Sequence, residues 1–288
     1  MIDPNATNPN APATAAAASS SPRFGRLRKR LRIPLLVLAA VGLPIGGYCG
    51  YQTATGNFAI VRSGEVYRSG QMSDRQLTNV IRQYGIKTVL NLRGSNPEDS
   101  WYQRERDATL AEGATQVDMS LSSCEWMSRV QARTLLEMLE TCERPILIHC
   151  KQGAERTGLA STLSELLRPG VDLEEANRQF SIWRLYLRVG EGKVMSQHIE
   201  QYQDWLGRRG LTHSPERLRL WIAEGFMPGK PTREDWPYDP YPLVTVTRPQ
   251  AQSQSQTETQ TQASVPAPDT TPESADARAE LESRSTTK

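Results

Sequence analysis

Between residue 57 and about residue 225 the chain alternates short apolar runs with amphipathic stretches, and turn residues separate them. Phe58-Ala59-Ile60-Val61 and Glu65-Val66-Tyr67-Arg68 predict short strands, and Asp74 is placed to cap a helix that runs through Tyr84 and stops at Gly85. Ile86 to Leu92 predicts the next strand, Trp101 to Glu112 a helix ended by Gly113, and Thr115 to Met119 an extended segment. In Ser128 to Cys142 the apolar residues Val130, Leu135, Met138 and Leu139 fall at helical spacing, and Pro145 then opens a strand that ends at Cys150. A helix over Thr157 to Arg168 is halted by Pro169-Gly170, and further helices are expected at 173–183, 194–206 and 214–222. Recurring strand and helix units predict an α/β domain, with a mainly parallel central sheet flanked by helices.

The flanks read differently. Residues 1–22 are rich in Ala, Pro, Asn and Ser and cannot bury enough apolar area to offset chain entropy. The basic block RFGRLRKRLR, Arg23 to Arg32, leads into the apolar run IPLLVLAAVGLPIGGYCGY, Ile33 to Tyr51. Such a run is close to the lower limit for a ~30 Å hydrocarbon layer. No small-x-small cleavage site closes it, so a transmembrane signal anchor is favoured over a cleaved signal. Positive flanks stay in the cytoplasm, which places the N-terminus inside and everything after Tyr51 outside the cytoplasm. The expected organisation is a disordered arm with its basic block (1–32), one transmembrane helix (33–51), a folded α/β domain with C-terminal helices (52–225), and an extended Pro-containing segment with a disordered Gln/Ser/Thr-rich tail (226–288).

Net charge is only +2 over 288 residues, which gives no basis for nucleic-acid binding. Cys49, Cys124, Cys142 and Cys150 are too few and too widely spaced for a disulfide scaffold, and the absence of a C-x-x-C pair or Cys/His cluster implies neither metal nor cofactor.

The chemistry concentrates in ILIHCKQGAERTG, Ile146 to Gly158. An apolar strand, a short Gly-containing loop and a helix together present a site at the carboxyl end of a sheet. The amides of Lys151, Gln152, Gly153, Ala154, Glu155 and Arg156 would curl around an anion above the Cys150 sulfur, at the positive end of the following helix. The same field favours the thiolate, which is the attacking species. Arg156 offers a planar fork of donors for two phosphoryl oxygens. Thr157 would donate its hydroxyl to the sulfur, and His149 would hold the loop's shape. Gly153 allows the tight turn.

His149-Cys150-x5-Arg156-Thr157 resembles the signature loop of cysteine-dependent protein tyrosine and dual-specificity phosphatases. Together with Tyr67-Arg68-Ser69-Gly70-Gln71 and Gly85 to Arg93, it is similar to the compact bacterial members and the atypical fungal and plant dual-specificity phosphatases over roughly residues 57–207. The resemblance implies a dual-specificity phosphatase-like fold and hydrolysis of phosphomonoesters through a phosphocysteine. The expected substrate is phosphotyrosine or another phosphoprotein, or a small phosphoester. An inositol (pyro)phosphate is the alternative, although Ala154 and Glu155 stand where a more basic loop would be expected for it. A non-catalytic phosphate-binding module is another.

Members of this family take the leaving-group proton from an aspartate some thirty residues before the cysteine. Asp118 stands 150 − 118 = 32 positions before Cys150, and Glu125, on the following loop, is the other candidate. A low-pKa thiolate is also open to oxidation, and Cys124 is the better expected partner for a protective disulfide, ahead of Cys142.

Overall fold

The computed structural model describes residues 23–229 and 242–249, with side chains from residue 36 onward. Helix α1 (Arg23–Ala54) precedes a hairpin of β1 (Ala59–Arg62) and β2 (Val66–Ser69). Then follow α2 (Asp74–Tyr84), β3 (Thr88–Asn91), α3 (Ser100–Ala111), β4 (Thr115–Met119), α4 (Arg129–Thr141), β5 (Ile146–His149) and α5 (Glu155–Leu166). The chain continues through α6 (Leu173–Asn177), α7 (Val194–Gly207), α8 (Pro215–Leu220) and β6 (Val244–Thr247).

Every residue of β2, β3 and β5 is buried, so these strands are covered on both faces. Strands covered on both faces belong in the interior of a parallel sheet. The sheet order is β1-β2-β5-β3-β4-β6, with β2, β5, β3 and β4 mutually parallel and an antiparallel strand at each edge. The mainly parallel sheet is therefore mixed at its margins. Val66, Leu90, Val117, Ile146 and Ile148 face the larger core, which also contains Leu135, Leu163 and Ile199 from the covering helices. Tyr67, Val89 and Leu147 face the smaller core with Leu77 and Ile81 of α2.

Most boundaries follow the sequence pattern, and the exceptions have physical causes. The cap of α2 is Ser73, whose hydroxyl accepts from the Gln76 N–H while the Gln76 side chain reaches back, and Asp74 is the first helical residue. The helix expected over 173–183 ends at Asn177, because the Gln179 carbonyl and side chain are both taken by Arg68, at 2.7 and 2.9 Å. The segment expected to be extended beyond residue 225 contributes Phe226 to the core and β6 to the sheet edge.

The transmembrane helix expected at 33–51 is not found as a distinct span. It falls inside the longer α1, and among the described residues no helix is long and apolar enough to cross a membrane. Pro44, Gly46 and Gly47 dilute its apolar run, and Gln52 and Thr53 follow it. The expected disordered arm at 1–22 and the tail from residue 250 lie outside the described residues, as do the side chains of the basic block.

Candidate active site

The carboxyl ends of β2, β5 and β3 lie side by side, and the loop from Cys150 to Ala154 leaves β5 between its two neighbours. Helix α5 begins at Glu155, directly at the end of the loop, so its first N–H groups face the space above Cys150. Two glycines bring the loop against β2. Gly153 has φ 72°, and a Cβ there would lie 2.5 Å from the Gly70 nitrogen; a Cβ on Gly70 would lie 2.9 Å from the Gln152 carbonyl carbon. No other residue fits either position without moving the backbone.

Cys150 is fully buried, and burial alone would raise its thiol pKa. The Arg156 guanidinium, the Thr157 hydroxyl and N–H, and the Gly153 N–H at 3.3 Å outweigh burial and hold the thiol below its ordinary value. Thr157 also serves the Ser69 carbonyl oxygen, at 3.3 Å. Arg156 donates through Nη1 to the carbonyl oxygens of Leu121 (3.0 Å) and Leu92 (3.3 Å), which fixes the plane of the guanidinium. Its Nε is buried and has no partner among the described residues. A buried donor of this kind is costly unless a ligand satisfies it. The cleft above is lined by Cys124, Lys151, Gln152, Glu155, Arg156 and Glu191.

Behind the loop lies a polar layer on the α3 face of the sheet. His149 is buried, with Nδ1 3.4 Å from the Cys150 carbonyl oxygen and Nε2 3.1 Å from Glu105 Oε1, an ion-pair contact not aligned as a hydrogen bond. Burial works against the imidazolium, but the Glu105 carboxylate prevails and raises the His149 pKa. Burial likewise works against the Glu105 carboxylate; the imidazolium and the amides of Gln71 and Gln116 hold its pKa down.

Asp118 belongs to this layer and not to the cleft. Its carboxylate accepts from Asn91 Nδ2 (2.8 Å), Gln116 Nε2 (3.0 Å) and Tyr102 Oη (2.5 Å), and it is 1% exposed. Burial raises its pKa against those three donors. The structure thus brings Cys150, Arg156, Thr157, His149 and the loop 151–155 together and leaves Asp118 in the polar layer on the α3 face. Glu125 does not line the cleft either; the carboxylates that do are Glu155 and Glu191. Among the described residues no group of His, Cys, Asp and Glu is arranged to hold a metal ion.

Two residues without an assigned role in the sequence reading hold the loop. Arg68, fully buried, donates through Nη2 to the Gly153 carbonyl oxygen at 2.7 Å. Burial, then Arg184, push its pKa down to about 9, so it stays charged near neutrality. Asn57 donates through Nδ2 to the carbonyl oxygens of Gln152 (3.0 Å) and Arg184 (2.9 Å). A charged residue inside the buried strand Val66–Ser69 was a legible signal for Arg68.

Residues 45–224 match the model of the tyrosine phosphatase family. No curated protein matches the chain. Among solved structures, TpbA of P. aeruginosa in complex with pTyr is similar at 19% identity, with 60% of this chain and 93% of that chain covered and a TM-score of 0.41. The core catalytic domain of the PP-IP phosphatase SIW14 from S. cerevisiae is similar at 25% identity, with 53% and 89% covered and a TM-score of 0.40. A putative phosphatase from Neisseria meningitidis is similar at 16% identity, with 49% and 97% covered and a TM-score of 0.37.

Proposed function

The chain belongs to the tyrosine phosphatase family, and from that premise we propose that it hydrolyses phosphomonoesters through a phosphocysteine formed on Cys150. The observation that carries this reading is the pairing of a stabilised Cys150 thiolate with an Arg156 whose buried Nε has no partner among the described residues. The loop amides and the free edge of Arg156 receive the phosphoryl oxygens. The thiolate attacks phosphorus, the S–P bond forms as the ester P–O bond breaks, and the leaving oxygen takes a proton from the Glu191 carboxyl group at the cleft wall. Water then attacks the phosphocysteine, releasing phosphate, while the Thr157 hydroxyl stabilises the departing sulfur.

A phosphotyrosyl or other phosphoprotein substrate remains the sequence expectation. An inositol pyrophosphate fits less well, because the carboxylates of Glu155 and Glu191 line the cleft and would repel further negative charge. Attachment to a membrane through α1 is part of the proposal. It is supported by the exposed side chains of Leu36, Val37, Leu38, Val41 and Leu43, which follow the basic block.

The test is hydrolysis of p-nitrophenyl phosphate by the purified chain, with acid quench and mass spectrometry to find phosphate on Cys150. Cys150→Ser should abolish turnover while phosphate still binds. Turnover in Cys150→Ser would refute the mechanism.

A further inference from the structure

Beside the phosphate cleft, between the last turns of α1 and the segment 182–187, lies a groove of about 910 Å³. Ile45 and Tyr48 line it on the helix side, and Ile182, Trp183 and Leu187 line it opposite. One cross-link ties the walls: the Tyr48 ring meets Trp183 edge-on at 5.6 Å, and Tyr48 Oη donates to the Trp183 carbonyl oxygen at 2.7 Å. Gln52 Nε2 donates to the same carbonyl oxygen, also at 2.7 Å.

Lys151 and Gln152 line both this groove and the cleft above Cys150. The groove therefore runs from a cationic junction at the phosphate site into apolar surroundings. Ile182, Trp183 and Leu187 are 61%, 65% and 60% exposed, apolar area that the fold itself leaves uncovered. Farther along α1, the exposed side chains of Leu38, Val41 and Leu43 continue the same character. A ligand leaving the groove along the helix over Leu43, Val41 and Leu38 would meet apolar surface.

The polar groups decide between an aliphatic chain and a peptide. A peptide backbone needs hydrogen-bond partners when it is removed from water. Here the Tyr48 hydroxyl and the Gln52 amide nitrogen are both committed to Trp183. An aliphatic chain asks for no such partner and gains from every methylene buried.

We infer that this groove binds the aliphatic chain of an amphiphilic phosphomonoester whose phosphate occupies the Cys150 loop. The inference rests on the phosphatase reading and narrows its substrate class to a single phosphate joined to an extended apolar tail.

The experiment measures inhibition of p-nitrophenyl phosphate hydrolysis by butyl-, octyl- and dodecylphosphonate, using the full chain and keeping each inhibitor below its micelle-forming concentration. The inhibition constant should fall about fourfold for each methylene buried until the groove is filled. Trp183→Ala and Leu187→Ala should each flatten that dependence. If p-nitrophenyl phosphate is not hydrolysed, the phosphatase reading falls and takes the inference with it. If it is hydrolysed but inhibition does not depend on chain length, the groove assignment alone is overturned. A chain-length dependence unchanged in both variants also overturns it. So does a flat series beside a Trp183-dependent preference for a phosphotyrosine peptide, which would give the groove to a protein substrate.

Discussion

Arg68 Nη2 donates to the Gly153 carbonyl oxygen at 2.7 Å, so a buried guanidinium on β2 holds the middle of the catalytic loop from behind. Because the same cation feels the Cys150 thiolate, it contributes to the charge balance as well as to the shape. Arg68→Met keeps most of the volume and removes the donors. It should lower kcat/KM about 10- to 100-fold and unfolding free energy by about 1–3 kcal/mol, the cost of leaving buried carbonyls unpaired. Denaturant titration and steady-state kinetics would check both. A variant with ordinary stability and rate would show that the loop keeps its form without Arg68.

Glu105 and His149 form the second support, and its effect depends on pH. The His149 pKa is raised in the folded chain, so its share of stability is present in full below about pH 6.5 and is lost as pH rises through the folded value. The Glu105 pKa is lowered, so its share is present above about pH 4.3 and is lost as pH falls through the folded value. The stability difference between the native chain and Glu105→Gln should therefore be greatest between those limits and shrink both as pH rises through the folded His149 value and as it falls through the folded Glu105 value. Glu105→Gln should also move the pH profile of Cys150 alkylation by iodoacetamide upward, since the nearby imidazolium favours the thiolate. A merely structural role for Glu105 would leave that profile in place.

Asp118 is expected to act through stability and not through proton transfer. In Asp118→Asn, turnover of a poor and of an activated aryl phosphate should fall by the same factor, because the side chain bonds Asn91, Gln116 and Tyr102 away from the cleft. Glu191→Gln, at the cleft wall, should cost more with the poor leaving group than with the activated one. A leaving-group dependence seen only in Asp118→Asn would restore Asp118 as the acid.

Cys124 lines the cleft, with its sulfur 3.5 Å from Ser122 Oγ, whereas Cys142 is partly buried at the end of α4, where burial raises its thiol pKa. Peroxide inactivation of the native chain should be reversed by dithiothreitol to a greater extent than that of Cys124→Ser, while Cys142→Ser should behave like the native chain. Equal recovery in all three would remove Cys124 from any protective role.

The geometry of the candidate loop was legible because its parts are contiguous: strand, cysteine, glycine, arginine and helix start follow one another within Ile146 to Gly158. Arg68 and Asn57 reach the same loop across 85 and 95 positions, and no local pattern encodes such a contact. At Asp118 spacing and placement point in different directions. Its distance along the chain from Cys150 fits an acid, but strand alternation puts it on the same side as Gln116, facing α3. A sign of that layer was present in α3, where Tyr102, Glu105 and Thr109 occupy one buried helical face. Strand β6 was hidden for a different reason: four residues with little burial draw their identity from the edge of β4.

The union of α1 with the loop has a mechanical meaning. The helix ends at Ala54, Asn57 bonds back to Gln52 through its N–H, Gly56 accepts from Gly70, and the Asn57 side chain grips the Gln152 carbonyl oxygen. Three residues separate the last helical turn from the catalytic backbone, with no slack between them. A tilt or pull on the helix would be delivered through the Gln152 carbonyl to the loop whose N–H groups face the phosphate, as a rigid lever delivers force, so a shortened chain that begins after Asn57 would carry every reacting atom and yet lack the fulcrum that sets their angle.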